Sequence, residues 1–403
     1  MKYVIVILDG ASGSPLDFFG GRTTLEAACT PHLDALARKG LVGLARNVPA
    51  QLEPSSDVAC TSICGYDPVE NPIGRAALEG VALGIDLADD ELALRVNLTH
   101  VSPEGIMVSY SADNISHNDG LALIAELAAE LNDETFTLHA GTGFRAILVV
   151  KGHPELLETT FTPAHNMADE PVALHPAVGP GAALITGYCA RAKTLLAASP
   201  VNASRASEGK RVASDIFAFW PSAKPKDMEA FSALYGGLRA GMLSGVDLLN
   251  GIARLASIRS YHFDGVTDGP DNDYAAQAKG ALSMLDECDV VFVHVEAPDA
   301  EGHDGNAEGK KLAIEAIDRE IISRLIAYAE NPETPDLRIL ALPDHPTPVA
   351  TKRHTHDPVP FVLAGPGISS NGANRLTEAE ATATALVIDP GFQLMRVLTA
   401  QLQ

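Results

Sequence analysis

Six residues of metal-ligand type and one serine carry the chemistry open to this sequence. Asp299 and His303 stand four apart, Asp344 and His345 are adjacent, His354 follows, and Asp9 and Ser56 lie near the N-terminus. These seven hard-oxygen and imidazole groups are more than one cation can hold. Carboxylates completed by neutral imidazoles suit Mn²⁺, Co²⁺ or Zn²⁺, with Mg²⁺ a further option. Two such ions beside a hydroxyl can move a phosphoryl group, because together they stabilise the attacking and the leaving oxygen. Serine is a weak nucleophile until a base or a metal activates it. Each residue also has a plainer reading. Ser55, Ser56 and Asp57 all suit a helix N-cap, Asp is common in turns after strands, and His303 and His354 could be surface histidines. The combination, not any one member, points to phosphoryl chemistry.

Those residues need elements to place them. Residues 3–8 read as a buried strand that delivers Asp9, residues 290–295 as one that delivers Asp299, and residues 337–342 as one that delivers Asp344. Open α/β sheets place their sites beyond the carboxyl ends of strands, so the three Asp residues are expected on one edge. Spacing of four puts Asp299 and His303 on one face of a helical turn. Thr30-Pro31 opens a helix with Thr30 as N-cap, and Gly40 ends it. Ser56 stands where another helix would begin, and the free N–H groups there favour a phosphorylated serine. Residues 307–328 form a strong helix, with Ile314, Ile317, Ile321, Leu325 and Tyr328 on one face. A second block, 85–170, has expected strands at 92–96, 105–110 and 145–150 and a helix at 119–131, in a βαβ-like pattern free of metal candidates. A helix at 180–198, a strand-to-helix passage at 237–246 and a strand at 361–364 complete the pattern. Strand and helix alternate, so the expected class is α/β, with a mainly parallel sheet covered on both faces.

The chain has 403 residues, 46% of them hydrophobic and 20% charged. That allows two domains, or one large α/β domain with an insertion. The formal charge of −23 argues against nucleic acid as a partner, and an anionic substrate would need a local basic pocket. Five scattered cysteines without a Cys-x-x-Cys pair suit reduced thiols. No run of 18 apolar residues suggests a membrane span, and the apolar start meets Asp9-Gly10 too soon for a signal peptide. A cytoplasmic location is expected. Oligomeric state is not readable.

Thr30-Pro31-His32-Leu33-Asp34-Ala35-Leu36-Ala37 resembles a signature of the alkaline phosphatase superfamily. Within it, the chain is similar to archaeal-type cofactor-independent phosphoglycerate mutases. The likeness runs almost end to end, through Leu8-Asp9-Gly10, Ser56-Asp57, Gly65-Tyr66-Asp67-Pro68, Gly74-Arg75, Pro200-Val201-Asn202, Glu208-Gly209-Lys210, Asp271-Asn272-Asp273-Tyr274, the stretch from His294 to His303, and His354 leading to Asp357-Pro358-Val359-Pro360. The resemblance implies an alkaline-phosphatase-like core at 1–84 and 171–403 and an inserted α+β cap at 85–170 that covers the substrate. It implies one metal on Asp299, His303 and His354, and another on Asp9, Asp344, His345 and the Ser56 hydroxyl. It implies a glycolytic isomerase that interconverts 3- and 2-phosphoglycerate through a phosphoserine, with glycerate turning inside the site.

The anion-binding side departs from the family pattern at Ser111-Ala112-Asp113-Asn114-Ile115-Ser116, at Phe144-Arg145-Ala146 and from Phe219 to Pro225. Arg75, Arg95, Arg145 and Lys224 remain as candidate contacts for carboxylate or phosphate. His165 and Asn202 are further candidates, with loop capping as their plainer role. These departures keep two other readings in view. One is a phosphatase or homoserine-kinase-like phosphotransferase with the same nucleophile and metals; the other is an inactive metal-binding scaffold.

Overall fold

In chain order the strands are β1 (Lys2–Leu8), β2 (Leu41–Ala45), β3 (Glu91–Val101), β4 (Met107–Ser109), β5 (Phe136–Ala140), β6 (Arg145–Lys151), β7 (Asp215–Ala223), β8 (Ala240–Leu243), β9 (Arg259–Tyr261), β10 (Val290–Val295), β11 (Leu337–Leu342), β12 (Val359–Ala364) and β13 (Val387–Ile388). The computed structural model describes residues 1–400. They fall into two units, one of Met1–Pro72 with residues 227 onward, the other of Ile73–Lys226.

The first unit is built on a sheet in the order β13-β2-β12-β11-β1-β10-β8-β9. β1 lies parallel to both β10 and β11, and β8 continues the parallel run. Only β12 runs against its neighbours β11 and β2. Apart from Lys2, His294 and Arg338, apolar residues fill β1, β10, β11 and β12 without alternation, as strands covered on both faces require. Ile7 pairs with His294 on one side and Leu342 on the other, so three strands end level. Asp9, Asp299 and Asp344 therefore leave the sheet at one edge. Val4, Val6 and Leu8 share a core with Ile314, Ile317, Ile321 and Leu325, the helical stripe read from the sequence.

That helix departs from regular α geometry in its middle. Ala307–Ala316 is α-helical, Ile317–Ile322 is a π-turn, and Ser323–Glu330 is α-helical again. The π-turn holds Asp318, buried, where it accepts the backbone N–H of Leu33 at 2.7 Å and of His32 at 3.3 Å. It thus caps the helix Pro31–Lys39 from a distant part of the chain. Thr30 occupies the N-cap position, but its side chain makes no capping bond there. A carboxylate gives the helix N-terminus both acceptors and negative charge, which a hydroxyl cannot match.

The second unit is an antiparallel sheet, not a βαβ block. β3 pairs with β6 and β7, β6 with β5, and the far end of β3 with β4. Leu92, Leu94, Val96 and Leu98 meet the helices His117–Leu131 and Ala182–Ala197 on one face, while Ala93 meets the helix Arg75–Ala82 on the other. The boundaries differ from the expected 85–170. Residues 171–226 join this unit because β7 completes its sheet and Ile185, Tyr188, Ala192 and Leu196 complete its core. Residues 73–84 join it because Ala76 and Ala77 pack on Ala93, Ile147 and Val149. The register of β3 against β7 shifts between Ala93 and Arg95, and opposite that shift Trp220 takes a left-handed φ of 57°. This β-bulge re-aims the Trp220 side chain.

Candidate active site

The edge at the ends of β1, β10 and β11 gathers all seven predicted residues. Asp9 is held by its N–H to Val295 O at 3.1 Å. The next residue, Gly10, donates its N–H to Asp344 Oδ1 at 3.0 Å, and His345 N donates to the same oxygen at 2.7 Å. Asp344 is thereby fixed with Oδ2 turned inward. Asp299 and His303 sit on the helix Ala297–Asp304, with His303 Nε2 3.1 Å from Asp299 Oδ2. Ser56 is the first residue of the helix Ser56–Ile63.

Two groups of ligand type result. Ser56 Oγ lies 3.1 Å from His345 Nε2, which is 3.2 Å from Asp344 Oδ2 and 3.8 Å from Asp9 Oδ1. Beside it, His354 Nε2 is 3.4 Å from Asp299 Oδ1 and 2.9 Å from His303 Nε2. The rings of His345 and His354 stack with centroids 3.7 Å apart, so the groups adjoin.

The donor chemistry fits cations. His303 Nδ1 donates to Lys352 O at 3.0 Å and His354 Nδ1 to Pro54 O at 3.2 Å. In those neutral tautomers both Nε2 atoms carry lone pairs, and the two lone pairs face each other beside a carboxylate. A cation resolves that contact, and ligating histidines are commonly held through their other nitrogen in this way. Asp9 Oδ1 is buried and without a hydrogen-bond partner among the described residues, the state of an oxygen shaped for a metal.

Burial, then the charges of Asp344 and Asp299, push the Asp9 carboxyl up. For Asp299 burial acts the same way, but when the His303 and His354 rings carry a second proton, on Nε2, their hydrogen bonds outweigh it and hold the carboxyl well below its usual range. Burial pushes His345 down and keeps it neutral, as a ligand must be. So many like charges in a dry site call for positive charge between them.

Several residues here were given no role from sequence. His294 donates Nε2–H to Asp9 Oδ2 at 2.6 Å and accepts the Ser244 hydroxyl on Nδ1 at 3.0 Å. It also comes near Glu296, but its Nε2 proton is committed to Asp9, so it orients that carboxylate and offers no lone pair. A lone polar residue in the apolar run Val290–Val295 was the signal for it. Thr347 donates its hydroxyl to Asp299 Oδ1 and lies 3.3 Å from His345 Nδ1. Cys60, one turn beyond Ser56, places its thiol 3.9 Å from Asp344 Oδ2, and burial followed by the Asp344 charge pushes its pKa up.

The predicted substrate residues all fall in the second unit. Arg95 is buried on β3, paired with Glu79, and donates Nε to Asn97 Oδ1 at 3.1 Å. Burial lowers its pKa to about 10, and the charges of Arg145 and Arg75 also lower it, so the three guanidiniums act on one another. Arg75 lies over the Trp220 ring at 4.5 Å and Arg145 over Phe144 at 5.2 Å. His165 is exposed among the rings of Tyr110, Phe219 and Trp220. Lys224 is exposed and meets Asp89 at 2.9 Å. Of its two expected roles, Asn202 takes the plainer one, loop capping. It is buried, its Nδ2 donates to Leu196 O and Ala213 O at 2.9 and 2.8 Å, and its Oδ1 accepts Ala213 N at 3.0 Å. With both amide hydrogens and the oxygen engaged, it closes a loop and has no free donor for a ligand.

A family model for 2,3-bisphosphoglycerate-independent phosphoglycerate mutase matches residues 37–202. A Methanosarcina mazei protein of that name is 40% identical over 363 residues, 90% of each chain. The chain belongs to the 2,3-bisphosphoglycerate-independent phosphoglycerate mutase family. A probable member from Geobacter sulfurreducens is 37% identical over 402 residues, 99% of each chain. Among solved structures, a Pyrococcus horikoshii protein superposes with a TM-score of 0.80 at 26% identity, over 98% of this chain and 96% of that one. The cofactor-independent phosphoglycerate mutase from Thermoplasma acidophilum, at 22% identity and a TM-score of 0.63, covers 99% of this chain and 100% of its own, and shares the family fold.

Proposed function

We propose that this chain interconverts 3-phosphoglycerate and 2-phosphoglycerate, with Ser56 carrying the phosphoryl group between them at a centre for two divalent cations. The observation that carries this reading is the Ser56 hydroxyl 3.1 Å from His345 Nε2 in a buried carboxylate set, on a chain of this family. Asp299, His303 and His354 would hold one cation; Asp9, Asp344, His345 and the Ser56 hydroxyl would hold the other. Mn²⁺, Co²⁺ or Zn²⁺, with Mg²⁺ a further option, would lower the pKa of the hydroxyl and offset charge on the transferring oxygens.

Ser56 Oγ attacks the phosphorus of 3-phosphoglycerate. The bond from phosphorus to the C3 oxygen breaks, leaving phosphoserine and glycerate. The glycerate C2 hydroxyl then attacks the phosphoserine, and the freed Ser56 starts again. N–H groups at the start of the helix Ser56–Ile63 favour the phosphorylated state. Arg75, Arg95 and Arg145 supply planar donors for the substrate carboxylate or phosphate, with His165 and Lys224 as lesser contacts. No diffusible bisphosphate enters. Five free cysteines suit a reducing, cytoplasmic setting.

The test is product analysis. Mn²⁺-loaded protein given 3-phosphoglycerate should yield 2-phosphoglycerate with little free phosphate. Ser56→Ala should lose turnover by a factor of roughly 10⁴ or more, give no phosphopeptide, and keep its metals. Free phosphate as the sole product would replace the mutase by a phosphatase. Turnover in Ser56→Ala would remove the phosphoserine.

A further inference from the structure

Lys310 lies outside the ligand set and has no place in the reaction above, yet its side chain is completely buried. It stands on the helix Ala307–Ala316, four residues before Ile314 and seven before Ile317, where the pattern calls for an apolar residue. A methionine of similar volume would fill that space without desolvating an ammonium group. The charge therefore asks for a reason beyond packing.

Among the described residues the ammonium meets no carboxylate directly. It donates to Ser12 O at 3.0 Å and to Thr347 O at 2.7 Å. Ser12 lies in the turn that leaves β1 just after Asp9, and Thr347 in the turn that leaves β11 just after Asp344 and His345. The two turns also meet directly, through Thr347 N and Ser12 O at 3.1 Å. Glu378 grips the first turn from the other side, accepting Ser12 Oγ at 2.8 Å and Gly13 N at 3.1 Å. Thr347 carries the connection onward, since its hydroxyl donates to Asp299 and faces His345 Nδ1. One buried cation thus joins the backbone on which Asp9, Asp344 and His345 stand to the residue that touches Asp299.

We propose that Lys310 is a positioning residue: by tying the turn after β1 to the turn after β11, it holds the ligands of both cations in one frame. This rests on the two-cation reading above. Through-space charge alone predicts the opposite effect. A fixed positive charge repels incoming cations, so removing it would tighten metal binding; removing a clamp loosens it.

Calorimetric titration of the metal-free protein with Mn²⁺, with EPR of the coupled Mn²⁺ pair, separates the two. The unaltered protein should take up two Mn²⁺ with an EPR spectrum broadened by coupling. Lys310→Met should bind Mn²⁺ at least tenfold more weakly at both steps and lose much of the broadening. Lys310→Gln keeps a donor for one carbonyl and should fall between; it decides the matter if the Met variant does not fold. Two Mn²⁺ bound by Lys310→Met, or by Lys310→Gln in its place, with unchanged or tighter affinity and unchanged coupling would overturn the clamp and leave the dimetal centre standing. Failure of the unaltered protein to bind two Mn²⁺ would overturn both.

Discussion

Gly10 turns the chain out of β1 with a left-handed φ of 60°. A Cβ at this position would run into Asp299 Oδ1, Thr347 Oγ1 and the Asp299 backbone. Only the missing side chain lets Asp9 and Asp299 approach so closely. Gly10→Ala combines backbone strain of about 1–2 kcal/mol with that collision, for a total of roughly 2–4 kcal/mol. We expect a lower melting temperature and weakened uptake of both cations; an Ala variant with unaltered Tm and two bound Mn²⁺ would contradict this. The convergence of these candidate ligands was legible in the sequence because Asp and His after buried strands have few other uses in such numbers. His294, Thr347 and Lys310 were not, since their roles depend on partners that only folding brings near.

At the scale of elements, two distant carboxylates set the sheet and its helices. Asp318 caps the helix Pro31–Lys39 from within the π-turn, and burial, before any other influence, raises its pKa. Asp318→Ala leaves two backbone N–H groups of that helix without their acceptors, at a cost of about 2 kcal/mol. Thermal unfolding should show the loss, while metal content stays the same; an unchanged Tm would mean that water replaces the cap freely. Asp289, before β10, accepts the Arg239 N–H at 3.0 Å and Lys2 Nζ at 3.3 Å. Burial would raise its carboxyl, but hydrogen bonds from Arg239 and Lys2 prevail and lower it from 3.8 to about 2. A carboxyl depressed in the folded state adds stability that is present above about pH 4 and lost as pH falls through 2. Asp289→Asn should therefore cost about 1 kcal/mol at pH 7 after allowance for solvent screening. The gap from the unaltered protein should close between pH 4 and pH 2. A gap that stays constant down to pH 2 would assign the cost to packing instead.

For the whole molecule, cations at the proposed centre would contribute to folding as well as to chemistry. Each one bound only by the native state adds about 3 kcal/mol when free metal is a hundredfold above its Kd. Exhaustive chelation should abolish mutase activity and lower the Tm, and Mn²⁺ or Co²⁺ should restore both. Full activity in chelated protein would end the dimetal reading. The second unit shows where whole-chain organisation escaped the sequence. β7 lies more than a hundred residues from its partner β3, and no local pattern ties the two, so the unit extends to residue 226 instead of 170. The Trp220 bulge, which brings an indole under Arg75, arises from the same long-range pairing.

By itself the sequence determined the class of the sheet, the strands that end in Asp9, Asp299 and Asp344, the face shared by Asp299 and His303, and the serine at a helix start. Each follows from a period or a spacing along a short stretch, and local backbone geometry is enough to express it. Only the tertiary structure decided which groups serve those residues: His294 behind Asp9, Thr347 on Asp299, Asp318 at a foreign helix, Lys310 between two turns, and Asn202 closing a loop instead of facing a ligand. A hydrogen bond between residues hundreds of positions apart leaves no trace in spacing. It exists only where strand register brings the two ends together.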